Sequence, residues 1–177
     1  MKALTRKNFN KVIILAKYNN TAENEAALCE PKEDTLIVSL NGHRNHLSDC
    51  ILHADYDIDK MIAHYADDHP FPWKKQPILS FRDYMDKYPD YVIDCREFDF
   101  TGYSVTTAIK FFIYNNIHNI LLYMNNGQYD DNFKNRVKAQ INEVKECHPN
   151  CNIYKIGKDG NFDLETKSVK EFYGIHC

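Results

Sequence analysis

The chain has 177 residues, of which 44% are hydrophobic and 27% are charged. This composition is ordinary for a globular protein, and the length suits a single α/β domain with a buried core. The formal net charge of −3 at pH 7 excludes an overall basic field for nucleic acid, but it does not exclude a local basic patch.

No segment of the sequence predicts insertion into a membrane or secretion. A membrane-spanning helix needs about 18 or more consecutive apolar residues, and no such run occurs. The N-terminal residues are polar and lack the apolar stretch of a signal peptide. We therefore expect a cytoplasmic protein whose six cysteines are reduced.

The first half of the chain alternates short apolar runs with polar turns. Apolar runs rich in β-branched residues predict strands, and acidic stretches that follow a capping residue predict short helices. Residues 67–77 contain three prolines and the only tryptophan, so we predict an irregular excursion there. The predicted strands are 11–16, 35–40 and 51–54, and the predicted helices are 22–28, 57–65 and 80–88, the first capped by Thr21 and the last by Ser80.

Residues 91–126 predict a strand, a turn, a helix and a second strand. Thr101 or Ser104 is the candidate N-cap of this central helix. Residues 120–124 form a continuous apolar run, which is typical of a strand buried on both faces of a parallel sheet. Five apolar residues before it recur at the spacing of a helix that buries one face. They are Val105, Ala108, Ile109, Phe112 and Ile113.

The last third of the chain predicts a long amphipathic helix, a last strand at 152–156 and a final helix at 164–173. The long helix begins at Asp130, and its apolar face carries Phe133, Val137, Ile141 and Val144. Strands that alternate with helices along a chain predict an open, mostly parallel sheet with helices on both faces, a Rossmann-like α/β fold. We predict one domain over residues 1–177.

The turn before the central helix is the first candidate site. Ligands of open parallel sheets bind outside the carboxyl ends of the strands, where residues 99–102 are expected at the N-terminus of a helix. Free backbone N–H groups and the positive end of the helix dipole favour an anion such as a phosphate. An ordinary crossover without a ligand explains the same turn equally well.

Motifs for several common chemistries are absent. The sequence has no Walker A motif, no glycine-rich dinucleotide fingerprint after the first strand and no Gly-x-Ser-x-Gly elbow. Cys147 and Cys151 offer zinc one thiolate pair, whereas a structural site needs four ligands. His43 and His46 lie in a predicted polar loop, where either is a candidate base. Asp57 is a candidate metal ligand, and a helix start enriched in aspartate is the alternative.

A loop that mixes aromatic and basic residues is the second candidate site. Trp73, Lys74 and Lys75 suit stacking on a sugar or a base together with contact to a phosphate. Lysine stems that pack beside a tryptophan are the alternative. A base in duplex DNA must be extruded before it can be modified, and this loop offers the stacking ring and the cations for that step.

One segment carries a family resemblance, and its sequence at residues 100–131 is FTGYSVTTAIKFFIYNNIHNILLYMNNGQYDD. It resembles the bacterial lipo-oligosaccharide sialyltransferases, the related flagellin-associated glycosyltransferases and the archaeal hydroxymethylpterin pyrophosphokinases of the same superfamily. The shared pattern is a Thr/Ser-Gly turn, an amphipathic helix, an apolar strand and a loop with tyrosines. Residues 153–173, IYKIGKDGNFDLETKSVKEFY, are similar to the closing strand, turn and helix of that family. The stretches KVIILAKYNN and TLIVSLNG resemble its two nucleotide-binding strands.

This resemblance implies a glycosyltransferase that moves a sugar from a nucleotide-sugar donor to a hydroxyl acceptor, with no other cofactor. The acceptor is a saccharide, a protein or a modified DNA base, and the Trp73 loop is its candidate site. Tyr129 matches a tyrosine that hydrogen-bonds the leaving phosphate, and such neutral donors stabilise the departing charge without a metal. The residues expected to contact the donor nucleotide are Asn19 or Asn20, Asn41, Thr101, Gly102 and Ser104.

Two departures from the family leave the reaction open. The first loop is not glycine-rich, and Lys158 stands where the family has its catalytic histidine. Lys158 is expected either to act as an activated base or to bind phosphate while His43, His46 or Asp57 acts as the base. The alternative functions are a pyrophosphoryl or nucleotidyl transferase that uses Mg²⁺ and an inactive nucleotide-binding or interaction module. A homo-oligomer is also compatible with the sequence.

Overall fold

The computed structural model describes residues 9–17, 22–30, 32–41, 47–53, 78–80, 92–94, 103–124, 130–156 and 162–175. The strands in these ranges are β1 (Lys11–Lys17), β2 (Thr35–Leu40), β3 (Cys50–His53), β4 (Ile78–Ser80), β5 (Val92–Asp94), β6 (Asn119–Met124), β7 (Asn152–Lys155) and β8 (Glu165–Thr166). They form one sheet in the order β5-β4-β3-β2-β1-β6-β7-β8, and every neighbouring pair is parallel. The predicted open parallel sheet is confirmed.

Strands β1 and β6 lie at the centre of the sheet and are buried on both faces. No side chain in residues 12–16 or 120–124 is more than 8% exposed. β1 pairs with β2 on one side and with β6 on the other, so that Val12 lies opposite Leu36 and Ile120. A strand between two parallel neighbours and two helical layers has no polar face, which explains the unbroken apolar runs in its sequence.

Helices cover both faces of the sheet, as predicted. Those in the described ranges are α1 (Ala22–Leu28), α2 (Ser104–Tyr114), α3 (Asp131–Cys147) and α4 (Val169–Tyr173). α1 and α4 share a core with Ile13 and Leu15 of β1, whereas α2 and α3 share a core with Val12 and Ile14. Because successive strand residues point to opposite faces, one apolar strand contributes to both cores.

The capping and periodicity signals of the sequence located three helices closely. α1 has the predicted bounds, and all five predicted apolar positions of α2 are buried. Asp130 is the N-cap of α3, and its side chain accepts a hydrogen bond from the Phe133 N–H at 2.8 Å. On the predicted apolar face of α3, Phe133 is half-buried and the remaining residues Val137, Ile141 and Val144 are fully buried.

Two short strands correct the sequence-based prediction. β4 pairs with β3 and β5, so Ser80 ends a strand, and the helix predicted beyond it lies outside the described residues. β8 pairs with β7, so the strand predicted as the last one is followed by another, and the final helix begins at Val169 rather than at residue 164. A strand of two or three residues is too short to show an apolar periodicity, so it forms because its backbone pairs with a neighbouring strand.

All described elements belong to this sheet and its helical cover. The prediction of one domain over residues 1–177 also concerns residues outside the described ranges, and it stays a prediction. The helix predicted at 57–65 and the excursion predicted at 67–77 likewise fall outside them. None of the helices in the described part of the chain is long and apolar enough to cross a membrane.

Candidate functional site

The order of the strands reverses at β1. From β1 the sheet extends through β2, β3, β4 and β5 on one side, and β6, β7 and β8 lie on the other. The helices that follow β1 and β6 cover opposite faces, since α1 belongs to one core and α3 to the other. Ligands of open parallel sheets bind in the crevice that such a reversal leaves at the carboxyl ends of the strands.

Asn41 and Ser104, which are both predicted to contact the donor nucleotide, meet at this edge. Asn41 follows β2 directly, and its Nδ2 donates a hydrogen bond of 3.0 Å to the Oγ of Ser104, the first residue of α2. Asn41 has a φ of 50°, a left-handed conformation that asparagine tolerates better than most residues. Its N–H donates to the carbonyl oxygen of Leu52 at 2.9 Å, which ties the turn to β3.

The N-cap of α2 differs from both candidates taken from the sequence. Tyr103 is the N-cap, and its side chain makes no capping hydrogen bond. Ser104 lies inside the first turn, where its hydroxyl accepts a hydrogen bond from Asn41 instead of capping the helix. Thr101, the other candidate, lies outside the described residues. The side-chain acceptor at this helix start therefore has to come from elsewhere in the chain.

Helix α3 supplies that acceptor through Gln140. Its Oε1 accepts from the Tyr103 N–H at 3.2 Å and from the Thr106 hydroxyl at 2.6 Å. The Thr106 hydroxyl also lies 2.8 Å from the Tyr103 carbonyl oxygen, so its single proton is shared between two acceptors. Because the Gln140 amide is neutral, this cap adds no negative charge to the positive end of the α2 dipole.

The starts of α2 and α3 pack against each other. The rings of Tyr103 and Phe133 meet edge to face with centroids 4.8 Å apart, an arrangement that contributes roughly 0.5–1.5 kcal/mol beyond area burial. In the sequence, Thr101 and Gly102 directly precede Tyr103, and Tyr129 directly precedes the α3 N-cap Asp130. In the sequence, the two segments predicted to bind phosphate therefore directly precede the two helix starts that pack together.

The chain just after residues 42–46 is tied back to β2. The N–H of Asp49 donates to the Ile37 carbonyl oxygen at 2.8 Å, and its Oδ2 accepts from the Ile37 N–H at 2.8 Å. The hydroxyls of Ser39 and Ser48 are buried and hydrogen-bonded to each other. These contacts anchor one flank of the segment that carries the two candidate histidine bases, and the turn at the end of β2 anchors the other.

On the other face of the sheet, a second contact reaches the crevice. Tyr123 is the next-to-last residue of β6 and is 6% exposed. Its hydroxyl oxygen accepts a hydrogen bond from Asn24 Nδ2 at 3.0 Å. Asn24 lies in the first turn of α1, the helix that follows β1. The hydrogen bond therefore links the two sides of the reversal point.

Most of the predicted site residues lie outside the described ranges, so their roles stay predictions. Among the predicted site residues that fall within the described ranges, the structure brings together Asn41 and Ser104. Their binding of a nucleotide stays a prediction. The others are the candidate catalytic or base residues Tyr129, Lys158, His43, His46 and Asp57, the donor-site residues Asn19, Asn20, Thr101 and Gly102, and the acceptor loop Trp73, Lys74 and Lys75.

Gln140 was not predicted, although the sequence contains a signal for it. Phe133, Val137, Gln140 and Val144 follow one another at spacings of four, three and four residues, so Gln140 lies on the stripe that α3 buries. A polar side chain on an otherwise apolar stripe needs a hydrogen-bond partner. The pattern indicates that Gln140 has such a partner, but it does not name Tyr103 or Thr106.

The two cysteines considered for zinc differ in exposure. Cys147 is exposed at the end of α3, whereas Cys151 is buried before β7. Burial raises the pKa of the Cys151 thiol to about 11, which disfavours the thiolate that a metal requires. Within the described ranges, no group of three or more His, Cys, Asp or Glu side chains is arranged to hold a metal ion.

Comparisons with known protein families, with characterised proteins and with solved structures found no match for this chain.

The chemistry available at the carboxyl edge of the sheet follows from the groups that lie there. It offers an amide, hydroxyls and the start of a helix with a neutral cap, beside the reversal point of a parallel sheet. These groups suit a ligand that carries hydroxyls and anionic oxygens.

Proposed function

We propose that the protein is a glycosyltransferase that binds a nucleotide-sugar donor at the carboxyl edge of the sheet and passes the sugar to a hydroxyl acceptor. The observation that carries this proposal is the hydrogen bond between Asn41 and Ser104. It holds an amide at the end of β2 against the first turn of α2, close to the reversal point. Convergent amide and hydroxyl groups in such a crevice suit the ribose, base and phosphates of a nucleotide.

The start of α2 supports a phosphate at this position. The first backbone N–H groups of a helix have no carbonyl partner within it, and the helix dipole is positive there. A carboxylate cap would compete with a bound phosphate for these groups. Gln140 provides a neutral acceptor instead, so it satisfies the Tyr103 N–H without adding a repulsive charge.

The proposed reaction joins an acceptor hydroxyl oxygen to the anomeric carbon of the donor sugar. The bond between that carbon and the phosphate oxygen breaks, and its electron pair leaves with the nucleotide. Tyr129 donates a hydrogen bond to the leaving phosphate and stabilises the charge that develops there. The hydroxyl proton passes to a general base, for which the candidates are Lys158, His43, His46 and Asp57.

Turnover separates this function from its two alternatives. Lys158, where similar transferases carry a histidine, favours a binding module that has lost catalysis. A pyrophosphoryl or nucleotidyl transferase would need ATP and Mg²⁺. Metal-independent consumption of a nucleotide sugar would support the glycosyltransferase. Strict Mg²⁺ dependence with ATP would support the second function, and nucleotide binding without any turnover would support the module.

The direct test removes the Asn41 amide and leaves its backbone unstrained. Glycine adopts a positive φ freely, so Asn41→Gly keeps the turn and loses only the side chain. We expect a loss of affinity of about tenfold or more for CMP, UDP and their sugar conjugates. A hydrogen bond to a charged group contributes roughly 1.5–3 kcal/mol, and each 1.4 kcal/mol is about tenfold. Isothermal titration calorimetry measures the change.

Asn116→Gly is the matched control for this experiment. Asn116 also has a left-handed backbone, with a φ of 63°, but it is exposed at the opposite end of α2. The control should leave nucleotide affinity unchanged. Equal affinity in Asn41→Gly and wild type would remove Asn41 from the site, and a wild-type protein without affinity for any nucleotide would overturn the proposed function.

A further inference from the structure

A groove of about 450 Å³ lies between α1 and α4 on the face opposite α2. Glu23, Asn24 and Ala27 line it from α1, and residues 168–171 with Ile175 line it from the α4 side. This volume is within the range of roughly 300–1,000 Å³ that is usual for small-molecule sites. None of the functions predicted from the sequence uses this groove.

The polar wall of the groove is rich in hydrogen-bond acceptors. Glu23 is exposed, and Glu171 is held ionised because hydrogen bonds from the Ser168 N–H and hydroxyl lower the pKa of its carboxyl. Both bonds use Oε2 of Glu171, at 2.7 and 2.8 Å, so Oε1 keeps its capacity to accept. Lys170 adds one cationic donor to the same groove.

Aliphatic carbon completes the lining beside Asn24 and Ser168. Ala27 and Val169 are 4% and 0% exposed and form only the floor of the groove, so its accessible aliphatic surface belongs to the half-buried Ile175. A groove with ionised acceptors on one part and aliphatic carbon on another matches a sugar ring. The hydroxyls of a sugar donate to carboxylates, and its C–H groups rest on apolar side chains.

The groove adjoins the reversal point of the sheet. Asn24 lines it and also donates the hydrogen bond to Tyr123 at the end of β6. The Asn41–Ser104 contact involves α2, which covers the other face. Asn24 thus places the groove beside the ends of β1 and β6, on the face of the sheet opposite the proposed donor site.

We propose that this groove, in place of the Trp73 loop expected from the sequence, binds the acceptor of the transfer and that the acceptor is a neutral saccharide. The inference rests on the proposed function, because it needs a donor sugar in the crevice. Between a saccharide and DNA, the groove favours the saccharide, because the carboxylates of Glu23 and Glu171 outnumber the single ammonium of Lys170 and would repel a phosphate backbone. A sugar brings hydroxyl donors without that charge.

The test measures neutral sugars and nucleotides on the same samples. Lactose and maltose serve as probes in saturation-transfer NMR titrations, with CMP or UDP present at saturation. Glu23→Ala should weaken probe binding about tenfold, the size expected for one hydrogen bond to a charged group. Glu25→Ala is the control, since it removes the same charge from the first turn of α1 at a position outside the groove. Ile175→Trp, which fills the groove, should also abolish probe binding.

The outcomes separate this inference from the proposed function. Nucleotide affinity without any binding of neutral sugars would overturn the acceptor role of the groove and leave the proposed function standing. If Glu23→Ala and Ile175→Trp leave sugar binding unchanged, the sugar binds elsewhere and the acceptor role of the groove is overturned as well. Binding of a short DNA duplex that is lost in Glu23→Ala would overturn the neutral class of acceptor. Absence of nucleotide binding in the wild-type protein would overturn the proposed function and the acceptor role together.

Discussion

Helices α2 and α4 both begin at the carboxyl edge of the sheet, but their first turns are closed in different ways. α4 closes itself with a capping box, in which Ser168 accepts from the Glu171 N–H at 3.2 Å and Glu171 accepts from the Ser168 N–H at 2.7 Å. The N-cap of α2, Tyr103, makes no capping hydrogen bond with its side chain, and its N–H finds an acceptor in Gln140, 37 residues further along the chain.

The difference follows from what holds each helix in place. α4 has only five residues, too few to form a helix without help, so it depends on its capping box together with the burial of Val169, Phe172 and Tyr173. Eight of the eleven residues of α2 are buried, so tertiary packing fixes that helix even without a cap of its own. A helix held by its core can leave its first turn to tertiary partners and ligands, which is consistent with a binding role for α2.

The largest expected effect tests whether core packing holds α2. Phe112 is 2% exposed and packs edge to face against Phe111 at 5.2 Å. Phe112→Ala should lower the free energy of unfolding by about 3–5 kcal/mol, from lost burial and the cavity left behind. Urea denaturation measures the change. Tyr114→Ala is the control on the same helix, because Tyr114 is 66% exposed and should cost far less. Equal costs for the two variants would show that packing does not hold α2.

The second effect concerns the acceptor that α3 lends to α2. Gln140→Met keeps the volume and removes the acceptor, so the Tyr103 N–H and the Thr106 hydroxyl lose a partner. We expect a loss of about 1–3 kcal/mol in the free energy of unfolding, because two hydrogen bonds are lost and each contributes roughly 0.5–1.5 kcal/mol. The Thr106 hydroxyl keeps the Tyr103 carbonyl oxygen as an acceptor. Asn142→Met, at an exposed position of the same helix, is the control.

A charge change at the same position sharpens the comparison. Gln140→Glu keeps an acceptor for both groups and adds a negative charge near the positive end of α2, so stability should be nearly retained. Nucleotide affinity should fall, because the new carboxylate repels a phosphate. Retained affinity in a stable Gln140→Glu protein would argue against a phosphate at this helix start. A Gln140→Met variant that is as stable as the wild type would show that the acceptor from α3 is dispensable.

The sequence predicted those parts of the fold whose signals are local. The runs in β1 and β6 are apolar because both faces are covered, and that burial is visible in composition alone. β8 consists of Glu165 and Thr166, which are both exposed, and it exists through backbone pairing with β7. No side-chain pattern records such a pairing, so the final helix was predicted several residues too long.

The candidate site was less predictable because its contacts are distant in sequence. Asn41 and Ser104 were named through a family resemblance, but neither spacing nor periodicity relates residues 63 positions apart. Ser104 was also a candidate cap, since serine near a helix start usually plays that role. Its hydroxyl accepts from Asn41 instead, so the fold of the sheet, not the local sequence, decides its partner.

The smallest expected effect tests the self-capped helix. Ser168→Ala should lower the free energy of unfolding by roughly 0.5–2 kcal/mol, the usual cost of losing an N-cap, while nucleotide affinity stays unchanged.

Because the two Ser168 hydrogen bonds lower the pKa of Glu171 from its ordinary value of 4.5, the ionised carboxylate stabilises the fold above that pH. This stabilisation is lost as the pH falls through the lower pKa of the folded state. The stability difference between wild type and Glu171→Gln, measured by urea denaturation, should therefore be present at pH 7 and shrink as the pH falls below 4.5. A difference that stays constant across this range would show that the capping box does not depend on the ionised carboxylate. In that case α4 would depend on packing, as α2 does, and the contrast between the two helix starts would be lost.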